Sequence, residues 1–368
     1  MVLSHGDDYP VHQTADPIAH AGTDRNFYDR YFFSLLSPDG ALYAATAMGV
    51  YPQLGIADAA VSVVLDGSVQ HNLRASRHMG IERMDTRVGP IEVEVLEPLQ
   101  RLAVRVQDNP HGLRAEMIFE GRAAPIEEPR FTYRQGTRTV MDYTRMTQAG
   151  RWIGWIEFEG RRFDLDPDSW RGVRDRSWGV REFAGPGQQR NPAQSGQFCW
   201  FWSPLNFDDY AVFWHTNEDA LGDAFNRSGV IVELASGRAT HFPLSRYRID
   251  FEPGTRHAHA FHVEMTTADG RQARIYFQPK FNFLMPGIGY RHSTWRHGTD
   301  KGPSALGFDS YVLSEIDRGT LEYGHIQAIC DVTLSWQGRD LAGKGALEQL
   351  IAGPHSPSGF TELFDTAK

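Results

Sequence analysis

Gly172-Val173-Arg174-Asp175-Arg176-Ser177-Trp178-Gly179-Val180-Arg181 stands near the middle of a 368-residue chain. Three arginines, an aspartate and a serine surround one tryptophan between two glycines. The charges fall on both parities of a period-2 pattern, so the stretch reads neither as an amphipathic helix nor as a solvent-facing strand. Charge mixed with a large aromatic suits a strand entering a pocket or an interface, where every charge must find a partner. The sequence on either side of it follows one plan twice.

Before it, Tyr31-Phe32-Phe33-Ser34-Leu35-Leu36 ends at Ser37-Pro38-Asp39-Gly40, a type I turn pattern. Val61-Ser62-Val63-Val64-Leu65 then runs into Asp66-Gly67, a hairpin signal. Ile91-Glu92-Val93-Glu94-Val95-Leu96 alternates as a half-buried strand does, and Gly154-Trp155-Ile156-Glu157-Phe158-Glu159-Gly160 leads back to the central stretch. After it, Phe198-Cys199-Trp200-Phe201-Trp202 ends at Ser203-Pro204, and Ser228 to Leu234 runs into Ser236-Gly237. Tyr247 to Pro253 matches Val93 to Pro98, and Val332 to Arg339 matches Ile156 to Arg161. Landmarks recurring in one order, about 155 to 178 residues apart, describe an internal duplication. The expected fold is all-β: two tandem antiparallel barrels, each of about 170 residues. Residues 1–23 are expected as an irregular arm, 24–184 as the first barrel and 185–196 as a linker. Residues 197–368 form the second barrel, ending in a short helix over Ala346-Leu347-Glu348-Gln349-Leu350-Ile351.

Composition narrows the function. Hydrophobic residues at 41% and charged residues at 23% are those of a globular protein. A net charge of -9 without a basic tract argues against a nucleic-acid partner. No apolar run is long enough to span a membrane, and no basic segment followed by an apolar one opens the chain. Cys199 and Cys330 are the only cysteines, too few for a disulfide framework, so a cytoplasmic location is expected. There is no phosphate loop, nucleophile elbow or zinc signature, and neither a cofactor nor a metal is expected. His257 and His259 form only a weak two-histidine pattern.

Arg174-Asp175-Arg176-Ser177-Trp178-Gly179, the aromatic strand Phe198 to Trp202 and the duplicated layout together resemble the carotenoid 1,2-hydratase and AttH-like family. Its fold group also includes lipocalin-like Diels–Alderases. The resemblance covers roughly residues 24–350 and implies two lipocalin-like units. Where the family pattern commonly places His after the Asp, this chain has Arg176. It implies a cofactor-independent hydratase or dehydratase, isomerase or cyclase acting on an apolar terpenoid, steroid or aromatic molecule. The alternative is a non-catalytic binding protein for an apolar metabolite. Asp175 is the expected acid or base, tuned by Arg176. Tyr28, Tyr31 and His215 are expected to orient substrate or relay protons. Trp178, Trp200, Trp202 and Trp214 are expected as pocket walls, suited to flat ligands or a developing carbocation. Tyr290 and His292 belong to a Gly/Pro-rich loop suited to a lid. Exposed sheet edges make a homodimer an expectation too.

Overall fold

The structure is a computed structural model that describes residues 3–181 and 196–368. Residues 3–26 carry one short 3-10 turn, His5–Asp8, and no strand. Beyond them the described chain is strand, turn and short 3-10 segments, arranged as two antiparallel sheets.

The first sheet runs, neighbour to neighbour, from Val69–His78 through Ile56–Leu65, Leu42–Tyr51 and Phe27–Leu36 to Arg171–Arg181. It continues through Arg138–Phe158, Arg114–Gly121 and Arg101–Val106 to Ile91–Glu97. The second repeats that order. Arg238–His241, Ala224–Glu233, Tyr210–Glu218 and Phe198–Phe207 lead to Arg339–Ala352, followed by Ile326–Trp336, Gln272–Leu284, Ala258–Thr266 and Leu244–Phe251. Nine strands in one order, twice over, are the duplication expressed as topology. Each sheet curls until strands from its two ends share a core. In the first, Val61 and Leu73 pack with Val88 and Ile91. In the second, Ile231 packs with Val263.

The curled sheets lie back to back, which explains why their first strands are apolar on both faces. In Leu42–Tyr51, Leu42, Ala44 and Met48 point into the first barrel, while Tyr43, Ala45 and Ala47 point at the second sheet. In Phe198–Phe207, Cys199, Phe201 and Leu205 fill the second barrel, while Trp200 and Trp202 face the first sheet. The interface is a third core, with Phe32, Val173, Phe283, Ile329 and Leu350 at its centre.

Arg171–Arg181 closes the first unit between Phe27–Leu36 and Arg138–Phe158. Its two glycines are required by close approach. A Cβ on Gly172 would lie 2.1 Å from the Ser34 carbonyl oxygen and 2.3 Å from Trp152 Nε1. Gly179, at φ 140°, would place one 2.4 Å from the Asp142 carbonyl oxygen.

Two expectations are corrected. Residues 346–351 are not a helix but part of the strand Arg339–Ala352. Their helix-forming composition is overridden because they sit between Phe198–Phe207 and Ile326–Trp336, which supply the ladder on both sides. Residues 197–368 also do not all stay with the second sheet. Ser304–Val312 crosses over and pairs with Val69–His78, adding an edge strand to the first. The linker expected at 185–196 lies, apart from Gly196, outside the described residues. No helix among the described residues is long and apolar enough to cross a membrane.

Candidate functional site

Period 2 sorts the closing strand into two sets. Asp175, Ser177 and Arg181 line a cavity between the sheets, whereas Arg174, Arg176 and Trp178 turn the other way. Registry brings the neighbours into rows: Phe32, Asp175 and Thr147 in one, Arg30, Ser177 and Arg145 in the next, Tyr28, Gly179 and Tyr143 in the third. Met285 and Tyr290, from the crossing segment, and Glu348, from the second sheet, complete the wall. The cavity is small, about 30 Å3.

Asp175 accepts no hydrogen bond from any described residue. Burial pushes its carboxyl up from 3.8 to about 7, against the pull of Arg145 and Arg30 and with added repulsion from Glu128 and Glu348. Near neutral pH it populates both protonation states, which suits proton transfer. The other two acids are held differently. Glu128 accepts hydrogen bonds from Arg145 Nε at 2.8 Å, Thr147 Oγ1 at 2.6 Å and Trp202 Nε1 at 3.0 Å. Burial would raise it, yet Arg145 and His215 with these donors bring it to about 2. Glu348 accepts from Trp200 Nε1 at 3.0 Å and Gln327 Nε2 at 2.7 Å, and shares a hydrogen bond with His325 Nε2 at 2.9 Å. It too ends below its ordinary range despite burial. Arg145, the cation of this floor, lies 4.6 Å from the Trp200 ring centroid and 5.6 Å from that of Trp202.

Opposite the acid, Tyr290 Oη accepts from Arg30 Nη1 at 2.7 Å and from Arg181 Nη1 at 3.3 Å. With both arginines donating to it, the Tyr290 hydroxyl hydrogen points elsewhere and is a donor to offer the cavity.

Of the residues singled out from sequence, Asp175, Tyr28 and Tyr290 meet at the cavity. Trp200 and Trp202 stand behind it, their indole N–H groups tied to the two paired acids. His215 sits in the same layer, between Asn226 Oδ1 at 2.7 Å and Glu128 at 3.5 Å, and burial lowers its pKa. The others are elsewhere. Arg176 does not tune Asp175, because it points to the opposite face, where it pairs with Asp29 and lies over the Tyr31 ring at 4.2 Å. Tyr31 shares that face and stacks on Phe33. Trp178 is 41% exposed and does not line this cavity. Trp214 belongs to the core of the second barrel with Phe261. His292 bonds Asp309 at 3.2 Å in the crossing segment, away from the cavity.

Arg145, Tyr143 and Glu348 had escaped notice. A signal existed for the first two: Tyr143, Arg145 and Thr147 put polar groups on one parity of a long strand.

Among the described residues, Cys199, Glu218 and His355 bring possible metal-ligand atoms within 4.8 Å of one another. Glu218 there already receives Thr216 Oγ1 at 3.2 Å and Tyr247 Oη at 2.8 Å, and shares a hydrogen bond with His355 at 3.1 Å, a network that fastens the C-terminal segment. His257 is buried and bonds the Tyr323 carbonyl, while His259 is exposed, so the two do not form a ligand pair.

Fold and cavity together define a duplicated lipocalin-like protein with an unpaired acid between its two sheets. Over residues 3–361 the chain belongs to a family of unknown function, DUF8625. No curated protein matches it. Among solved structures it is similar to a protein named as AttH from Nitrosomonas europaea, with TM-score 0.52 and 14% identity over 93% of this chain and 98% of that one. It is also similar to CghA, solved with Sch210972, with TM-score 0.50 and 10% identity over 89% of each chain. Kievitone hydratase from Nectria haematococca aligns at TM-score 0.46 and 9% identity over 88% of each chain. The first two likenesses support the fold. Identities this low leave the chemistry to the residues.

Proposed function

We propose that the chain is a cofactor-independent acid/base enzyme, a hydratase or dehydratase, isomerase or cyclase, acting on a small organic molecule held between the two sheets. One observation carries the reading: Asp175 presents a carboxyl without a hydrogen-bond partner to a buried cavity, with burial holding it at about 7. Glu128 and Glu348, in the same layer, are saturated; a lone acid is unfavourable unless it has work to do. A non-catalytic binder would be expected to keep the acid charged and paired.

In this reading Asp175 gives a proton to an alkene or carbonyl carbon framework, or takes one from a carbon next to a carbonyl. Charge developing on a substrate oxygen meets Tyr290 and the cations Arg30 and Arg181 behind it, an arrangement that stabilises an enolate-like transition state. Trp200 and Trp202 hold Arg145 and the paired acids in place. A wholly apolar terpenoid fits poorly, because it would leave buried cations facing hydrocarbon. A substrate with an apolar skeleton and at least one polar oxygen fits. CghA, of similar fold, was solved with Sch210972.

The test starts from molecules co-purifying with the protein, identified by native mass spectrometry and incubated with wild type and Asp175→Asn. Turnover should fall about 10^2- to 10^4-fold in the variant with binding retained. Equal turnover in both proteins, or a ligand returned unchanged by both, would refute the acid/base role.

A further inference from the structure

Arg30 is 3% exposed, and its guanidinium is charged at any physiological pH. Nη1 donates to Tyr290, but Nε and Nη2 have no hydrogen-bond partner among the described residues. No carboxylate there forms an ion pair with it. Among its neighbours Arg145 is paired with Glu128 and Arg176 with Asp29, while Arg174, whose Nε donates to Gln148, has one bare nitrogen where Arg30 has two. Nε and Nη2 are the two parallel donors on the side-on edge of the guanidinium, the edge that receives both oxygens of a planar anion. Tyr290 holds the opposite end, so the fork is fixed before a ligand arrives.

The fork also has a defined place relative to the acid. Arg30 pairs in register with Ser177, and Asp175 pairs with Phe32, so the two are diagonal neighbours across adjacent strands. Diagonal positions are separated by about 7 to 8 Å. Both side chains line the same cavity.

We propose that the molecule taken by this cavity carries a carboxylate, bound side-on by Arg30 with Tyr290 steadying the guanidinium, so that carbons near the carboxylate lie against Asp175. This rests on the cavity being the active site and adds the substrate class: an organic acid with its reactive carbon a short distance from the carboxylate. Charge explains the selectivity. A neutral amide of the same shape offers one acceptor and a donor that would face the guanidinium, whereas a carboxylate matches both N–H groups.

The probe is benzoate, compared with benzamide, with binding followed by the fluorescence of the tryptophans behind the cavity and by isothermal calorimetry. Benzoate should bind at least about tenfold tighter than benzamide to wild type, and Arg30→Gln should remove that preference. Arg30→Lys keeps the charge but lacks the fork, and should also lose about tenfold; it serves if Arg30→Gln fails to fold. Arg176→Gln, on the opposite face, should bind benzoate as wild type does. Equal affinity for benzoate and benzamide, no binding of either, or benzoate binding unchanged in the Arg30 variants would each overturn the proposal. Asp175→Asn separates this from the acid/base reading. Should it bind benzoate and turn over substrate normally, the carboxylate site stands and the acid/base role falls. Should it lose turnover while the Arg30 variants bind benzoate normally, the reverse holds.

Discussion

Arg171–Arg181 and Arg339–Ala352 hold the same place in their sheets, each lying between the first strand of its unit and a long later one. Each turns one acid toward the other sheet. On the second strand Glu348 is met by Trp200, His325 and Gln327. On the first strand Asp175 is met by none, and the cations nearest it are engaged with Glu128 or Tyr290. The corresponding strand thus carries a saturated acid in one copy and, at a different position along it, a lone acid in the other. Hydrogen bonding decides the outcome: desolvation raises both, and only donors aimed at the carboxylate reverse it. Duplication supplies a second copy of the closing strand, so the two bring differently partnered acids to one cavity.

The comparison breaks most visibly if a saturated acid is removed. Glu128→Gln leaves Arg145 buried between Trp200 and Trp202 without its ion-pair partner. Loss of one partner of a buried pair costs about 3–5 kcal/mol. Urea unfolding of Glu128→Gln should show a loss of that size, and Glu348→Gln, whose donors are mostly neutral, a smaller one. If Glu128→Gln unfolds like wild type, Arg145 has another anchor and the contrast between the acids dissolves.

A smaller effect comes from pH. The Asp175 carboxyl ionises at 3.8 when unfolded and about 7 when folded, so the folded chain binds more protons in that window. Stability is then present in full below about pH 4 and is lost as pH rises toward 7. Each unit is worth about 1.4 kcal/mol at most, and the contact of Asp175 with the cavity reduces the total to about 2 kcal/mol. Glu128 acts in the other direction and in another window: its contribution is present above about pH 4.5 and is lost as pH falls toward 2. Asp175→Asn should therefore flatten the stability profile between about pH 4 and 7 and exceed wild type at pH 8. An unchanged slope would mean that Asp175 ionises normally and is not the lone acid described.

How much of this was legible in the sequence follows from the range of each interaction. Turn chemistry and period-2 alternation are local, so the doubled layout showed through Ser37-Pro38 and Ser203-Pro204, and Asp66-Gly67 and Ser236-Gly237. The helix expected at 346–351 failed because Ala, Leu, Glu and Gln favour helix locally, while the ladders on both sides are long-range. Asp175 stood out by its company, but its company misled. Arg176 is its neighbour in sequence and lies on the other face, as alternation alone would have warned. Arg145 is 30 residues away in sequence and one strand away in space, and only the register reveals it.

The smallest effect is the sharpest check on that last point. If Asp175 senses Arg30 and Arg145 through the cavity and not Arg176 through the chain, then Arg176→Gln should leave its titration within about 0.3 unit of wild type, because the exposed end of that strand and the intervening backbone screen the charge. Arg30→Gln removes a buried cation from the same cavity and should move the titration upward, since Arg30 is the second of the two groups pulling it down. Carbon-13 NMR of the aspartate carboxyls, assigned by difference against Asp175→Asn, reads both. An Arg176→Gln shift as large as that of Arg30→Gln would mean that adjacency in sequence, and not the face of the sheet, governs this acid. An effect confined to Arg30→Gln would show that the alternation of one strand separates a surface ion pair from a buried proton donor one residue away.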